Sequence, residues 1–218
     1  MYLLEGNIGA GKSTFLALVA ENIPGISIEY EPVDDWQQNI QGESLLSNFY
    51  ADPHRWAYTM ETYAMLCRVR DYLIDQENPH KNLLIERSVY SGRYCFAVND
   101  YQSGFISSLE WKMLCAWFDF LVPGKCRPPR GFIYLRVTPE VAFQRIIKRS
   151  RLAEVTISLD YLKKLHVLHD DFLLNKNDIL EELKPVPVLV LDGNGDFEDD
   201  EHILKELLEQ VAKFMEAT

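Results

Sequence analysis

Gly6-Asn7-Ile8-Gly9-Ala10-Gly11-Lys12-Ser13 decides the fold of this chain. The run fits G-x-x-x-x-G-K-[ST], it follows the apolar Tyr2-Leu3-Leu4, and Thr14-Phe15-Leu16-Ala17-Leu18-Val19 behind it reads as a beginning helix. Strand, glycine-rich turn and helix in that order make a phosphate loop. The glycines let main-chain N–H groups converge on an anion, and the helix N-terminus adds its partial positive charge. Lys12 is placed to reach the outer phosphates, and the Ser13 hydroxyl to hold Mg²⁺. The sequence therefore predicts that a nucleoside triphosphate binds over Gly6 to Thr14.

Four more strand-like segments follow: a weak one at Ile26-Glu29, then Leu83-Ile85, Phe132-Val137 and Val188-Leu191. Each precedes helical pattern, the signature of a parallel sheet covered on both faces. Helices are expected from Pro53 to Gln76, from Leu109 to Leu121, from Leu159 to Asn175 and from Asp199 to Met215. Another starts at Thr138-Pro139-Glu140, with Thr138 as N-cap and Pro139 in the first turn. The aromatic stripe of Trp111 and Phe118 reads as core or dimer surface. With no repeat or linker, the 218 residues suit one α/β domain.

A net charge of −11 argues against a nucleic-acid partner, so positive charge for a triphosphate must be gathered locally. No window reaches the roughly 18 apolar residues of a membrane span. The phosphate loop begins almost at Met1 with no secretory or transit pattern before it, which points to the cytosol. The four cysteines, Cys67, Cys95, Cys115 and Cys126, have no C-x-x-C spacing and read as free thiols. His166 and His169 have a spacing that invites a metal, but their helix offers no third ligand.

Three clusters refine the chemistry. Glu31-Pro32-Val33 lies just past the second strand, where a carboxylate faces the phosphate loop and can serve as base for an attacking alcohol. Glu86-Arg87-Ser88 follows Leu83-Ile85; Glu86 can organise Mg²⁺, and Arg87 can neutralise the transferring phosphoryl group. Arg145, Lys148, Arg149 and Arg151 form a basic lid at about residues 145–158, with Arg145 and Arg149 on one helical face.

Taken in order, these clusters resemble the deoxynucleoside kinase family of deoxycytidine, deoxyguanosine and insect multisubstrate enzymes. The resemblance rests on the phosphate loop through Thr14, Glu31-Pro32-Val33 with Trp36, Asp52-Pro53 with Trp56, Glu86-Arg87-Ser88-Val89-Tyr90-Ser91, Tyr134-Leu135 with Thr138-Pro139-Glu140, Leu159 to His166, and Leu191-Asp192 with Asp196-Phe197. It implies a P-loop kinase fold with a five-stranded parallel sheet, ATP-dependent phosphorylation of a deoxynucleoside 5′-hydroxyl in nucleotide salvage, Mg²⁺, and a homodimer. It assigns catalysis to Glu31, Arg87 and Lys12, a grip on the sugar 3′-hydroxyl to Tyr50 and Glu154, the flanks of the base to Trp36 and Phe96, and the donor's base to the loop from Asp192 through Asp196 to Phe197.

Two positions depart from the family. Glu61 stands where the family carries a glutamine that pairs with the base; an ionised carboxylate only accepts, which suits the adjacent N1–H and amine donors of guanine. Arg68, two helical turns on, either donates to guanine O6 or N7 or pairs with Glu61. Gly92 replaces an aspartate that partners this arginine, and its lack of a side chain is expected to widen the pocket. A purine preference, guanine first, follows as an expectation. The rival readings are a thymidylate-kinase-like monophosphate kinase, which needs a basic acceptor site, and a GTP switch, which needs an N-K-x-D element that this sequence lacks.

Overall fold

A computed structural model describes residues 1–32, 44–77, 82–150 and 157–218 of the chain. Five strands, β1 (Tyr2–Glu5), β2 (Ser27–Glu29), β3 (Leu83–Glu86), β4 (Gly131–Arg136) and β5 (Val188–Asp192), pair in the order β2-β3-β1-β4-β5. Every pairing is parallel. Such strands need long return connections, which helices provide. These are α1 (Lys12–Asn22), α2 (Leu45–Ala51), α3 (Pro53–Asp75), α4 (89–102), α5 (Ser108–Leu121), α6 (Pro139–Arg149), α7 (Leu159–Asp170) and α8 (Glu201–Ala217). The middle of α4 is a π-helical turn, Gly92–Ala97, and a second π turn, Asp171–Asn175, extends α7.

Alternation along the central strands sends side chains into two cores, one on each face of the sheet. Leu3, Phe132 and Tyr134 join Tyr90, Phe118 and Phe172 on one side. Tyr2, Leu4, Ile133 and Leu135 join Phe15, Leu16 and Val211 on the other. The chain goes to one side of β1 for β2 and β3 and to the other for β4 and β5. The carboxyl ends of β1 and β3 thus border the crevice where an open α/β sheet takes its ligand.

The expected strands and helices are present, with ends displaced by a residue or two. Thr138 corrects one local expectation. Pro139 does open α6, but the Thr138 side chain makes no capping hydrogen bond. Its backbone N–H instead donates to Asn194 Oδ1 at 2.8 Å, tying the helix start to the loop after β5. On α5, Phe118 is buried and Trp111 stacks on Tyr101 at 4.7 Å. Leu109, Met113, Trp117 and Phe120 form a separate stripe on the same helix and are exposed.

The phosphate loop is packed hard against α6. Gly9 has φ +76°, and a Cβ added there would lie 2.4 Å from the Ala142 carbonyl oxygen. Gly9→Ala is therefore expected to destabilise the chain by about 1–3 kcal/mol, because the new methyl meets rigid backbone at a left-handed position. Urea unfolding checks this, and an unchanged midpoint would contradict the packing described.

Candidate active site

The loop is held from inside before any ligand arrives. Asn7 Nδ2 donates to the Leu162 carbonyl at 2.9 Å, its Oδ1 accepts from Ile8 N at 2.9 Å, and Lys12 Nζ donates to the Asn7 carbonyl at 3.1 Å. Burial, reinforced by Arg87, lowers the Lys12 ammonium to about 8. A phosphate arriving there restores the lost counter-charge. Ser13 Oγ lies 3.0 Å from each Glu86 carboxylate oxygen. Hydroxyl and carboxylate are the hard oxygen ligands that Mg²⁺ takes beside a triphosphate, so this pair fits that ion.

Arg87 begins where β3 ends, and its backbone is unusual. Its φ of +64° is left-handed, a conformation that strains any residue with a Cβ. Several contacts hold it there. Its N–H donates to the Leu4 carbonyl at 2.8 Å, Nη1 donates to the Gly6 carbonyl at 3.2 Å, and Nε donates to Glu31 Oε2 at 3.2 Å. The guanidinium lies over the Phe96 ring, 4.6 Å from its centroid. Because Arg87 has left the strand, it turns toward Glu31 rather than pairing with its neighbour Glu86.

Glu31 receives a second cation, Arg68 Nη2, at 2.6 Å. Burial opposes its charge, but Arg87 and Arg68 together hold its carboxyl down at about 2, so it is ionised throughout the neutral range. Arg68 is thus engaged with Glu31 here, a partner outside the two alternatives read from the sequence. The pocket at Gly92 is also not widened as expected: Arg68 Nη1 sits 2.7 Å from where a Gly92 Cβ would stand, so the guanidinium fills the space.

A cavity of about 330 Å³ opens between the loop and these charges. Lys12, Ser13, Glu31, Glu86 and Arg87 line it together with Tyr50, Met60, Glu61 and Phe96. Phe96 is backed by the edge of His169, 5.9 Å away. Burial keeps His169 neutral, near 3, and its Nδ1 donates to the Leu165 carbonyl at 2.7 Å. His166 contacts Arg136 and Asp170. Among the described residues, no group of three or more His, Cys, Asp or Glu side chains is placed to hold a metal ion. Burial pushes the Glu61 carboxyl up to about 7 against the pull of Arg68 and Arg87.

A second cavity, of about 540 Å³, lies beyond Gly11 and includes Thr14, Arg149, Asp196 and Phe197 in its wall. Arg145 also lines this cavity; its Nη1 donates to the Ala10 carbonyl at 3.0 Å and its Nη2 to the Gly195 carbonyl at 2.9 Å. Phe197 is buried edge-on against Phe15. Asp192 is exposed and accepts from Asn194. Trp36, Arg151 and Glu154, with residues 151–156 of the expected lid, lie outside the described residues.

Three residues of the site were not anticipated. Glu5 is wholly buried at the end of β1 and accepts from Ser88 Oγ at 2.5 Å; a carboxylate closing an apolar strand was the signal for it. Asp100 is wholly buried behind Glu61, and Tyr161 from α7 lines the first cavity. Nothing in the local sequence marks either one.

Comparison with known proteins agrees with this geometry. A sequence profile described as deoxynucleoside kinase matches residues 3–216. The chain is 36% identical over 213 residues to a probable deoxycytidine kinase of Fowlpox virus (strain NVSL), covering 97% of this chain and 86% of that protein. It is 38% identical over 236 residues to deoxycytidine kinase 2 of Gallus gallus, covering 97% and 89%. It is 36% identical over 234 residues to the mitochondrial deoxyguanosine kinase of Xenopus laevis, covering 97% and 88%. A parallel sheet with a phosphate loop after its central strand, and a match running almost from end to end, place this chain in the deoxynucleoside kinase family.

Proposed function

We propose that this chain, acting as one domain, transfers the γ-phosphoryl group of MgATP to the 5′-hydroxyl of a deoxynucleoside. The observation that carries the reading is Glu31, an ionised carboxylate held by Arg87 and Arg68 in the cavity that Lys12 also enters. A sugar hydroxyl bound there donates to Glu31, which orients its oxygen toward the phosphorus and takes its proton. Lys12 and the loop amides hold the donor's phosphates, and Arg87 offsets charge on the transferring group. Ser13 and Glu86 would hold Mg²⁺, which neutralises phosphate charge when bound. Arg149, Asp196 and Phe197 in the second cavity suit the donor's nucleoside end.

On the acceptor side, Tyr50 is assigned to the sugar and Phe96 to the face of the base. Glu61 is assigned to the base edge, where its ionised form favours guanine. A monophosphate substrate fits poorly, because the ionised Glu31 and the acid Glu61 line the acceptor cavity, where a second phosphate meets like charge. We assign the protein to the cytoplasm; no described helix is long and apolar enough to cross a membrane.

The exposed apolar stripe of α5, with Leu66 and Ile74 of α3, supports a homodimer joined through these helices. Two outcomes follow. Glu31→Gln should lower kcat by about 10²–10⁴-fold while leaving ATP binding intact, with ADP released by the parent enzyme on adding deoxynucleosides but not their monophosphates. An unimpaired variant would refute the role of Glu31. Trp117→Glu should convert the dimer to a monomer in sedimentation velocity, and a dimer that persists would move the interface elsewhere.

A further inference from the structure

Glu61 sits on the wall of the acceptor cavity with only 8% of its surface exposed, and charged or titratable groups face it from every side. Arg68 approaches from its own helix α3, Arg87 from the end of β3 and Glu31 from beyond β2. From α4 comes Asp100, whose chief charged neighbour is Glu61, and from α7 comes the Tyr161 phenol, which feels both acids. The two carboxyls differ in what surrounds them. Asp100 is wholly buried, its Oδ1 accepts only a 3.3 Å hydrogen bond from Asn99, and its Oδ2 has no hydrogen-bond partner among the described residues. No cation is among the groups that act on it. A carboxyl so placed keeps its proton. Glu61, with two guanidiniums near and part of its surface exposed, is the acid free to change state.

The two states of Glu61 present different faces to a nucleobase. A neutral acid offers one donor and one acceptor, as an amide does; a carboxylate offers acceptors only. The first pattern complements the adenine edge, which carries an amine donor beside a ring-nitrogen acceptor. The second complements guanine N1–H and its amine. We propose that Glu61 is a titrating base reader, so that the enzyme's acceptor preference moves from deoxyadenosine toward deoxyguanosine as pH rises through neutrality. The inference rests on the first cavity being the acceptor pocket. A glutamine keeps one donor and one acceptor at any pH, whereas Glu61 makes the choice depend on a proton.

The test is the ratio of kcat/KM for deoxyguanosine to that for deoxyadenosine between pH 6 and pH 8. Taking the ratio cancels every titration that affects both substrates alike, including those of Lys12 and of ATP. Because the ionised form serves deoxyguanosine and the neutral form deoxyadenosine, it follows the ratio of ionised to neutral Glu61 and should rise by up to about a hundredfold across this window. Glu61→Gln should make the ratio independent of pH. Asp100→Asn, which fixes that position as neutral, should leave the midpoint in place. A flat ratio in the parent enzyme, a sloping one in Glu61→Gln, or a midpoint displaced by Asp100→Asn would each overturn the proposal. An enzyme that releases no ADP with any deoxynucleoside at any pH would instead overturn the acceptor pocket itself.

Discussion

The buried ion pair between Arg87 and Glu31 is the constraint on which the site depends. Removing one partner of such a pair leaves an uncompensated buried charge and typically costs about 3–5 kcal/mol, so the two residues fix each other. Arg87 also ties together parts of the fold that are remote in sequence. Its backbone extends the β1–β3 seam through Leu4, its side chain holds the Gly6 carbonyl at the start of the phosphate loop, and its plane rests on Phe96. The left-handed backbone at Arg87 is the cost of this convergence. A residue in ordinary strand geometry would continue along β3, away from the loop.

Function follows from where this pair lies relative to the loop. Glu86, one residue earlier, belongs to the strand and reaches Ser13, whereas Arg87 turns the other way to Glu31. One short segment therefore supplies a carboxylate to the metal side and a cation to the acceptor side. Arg68 completes the neutralisation of Glu31, and the same guanidinium fills the space above Gly92. A substrate hydroxyl must compete with Arg68 for the Glu31 carboxylate, so the acceptor site reorganises as it fills.

Much of the fold was legible because the central strands are buried on both faces and read as continuous apolar runs. The edge strand β2, three residues long and partly exposed, gave only a weak signal. Helix α4 was invisible as a helix, since Gly92 and a π turn break any regular spacing. Site residues in short motifs were legible where the motif carries its own geometry, as at Lys12, Ser13, Glu31 and Glu86. The left-handed turn at Arg87 had no sequence marker, because nothing distinguishes that arginine from one on a strand. Asp100 sits in an ordinary polar stretch, and only the packing of α4 behind α3 makes it a buried acid. Thr138 shows the reverse case, a correct helix start whose side chain does not cap.

The most direct measurement is a crystal structure with a deoxynucleoside and a non-hydrolysable ATP analogue bound. The account predicts the 5′-oxygen within about 2.6–3.2 Å of a Glu31 carboxylate oxygen, with Arg87 still paired to Glu31 and Arg68 drawn away. A 5′-oxygen held elsewhere, with Glu31 still closed between both arginines, would contradict it.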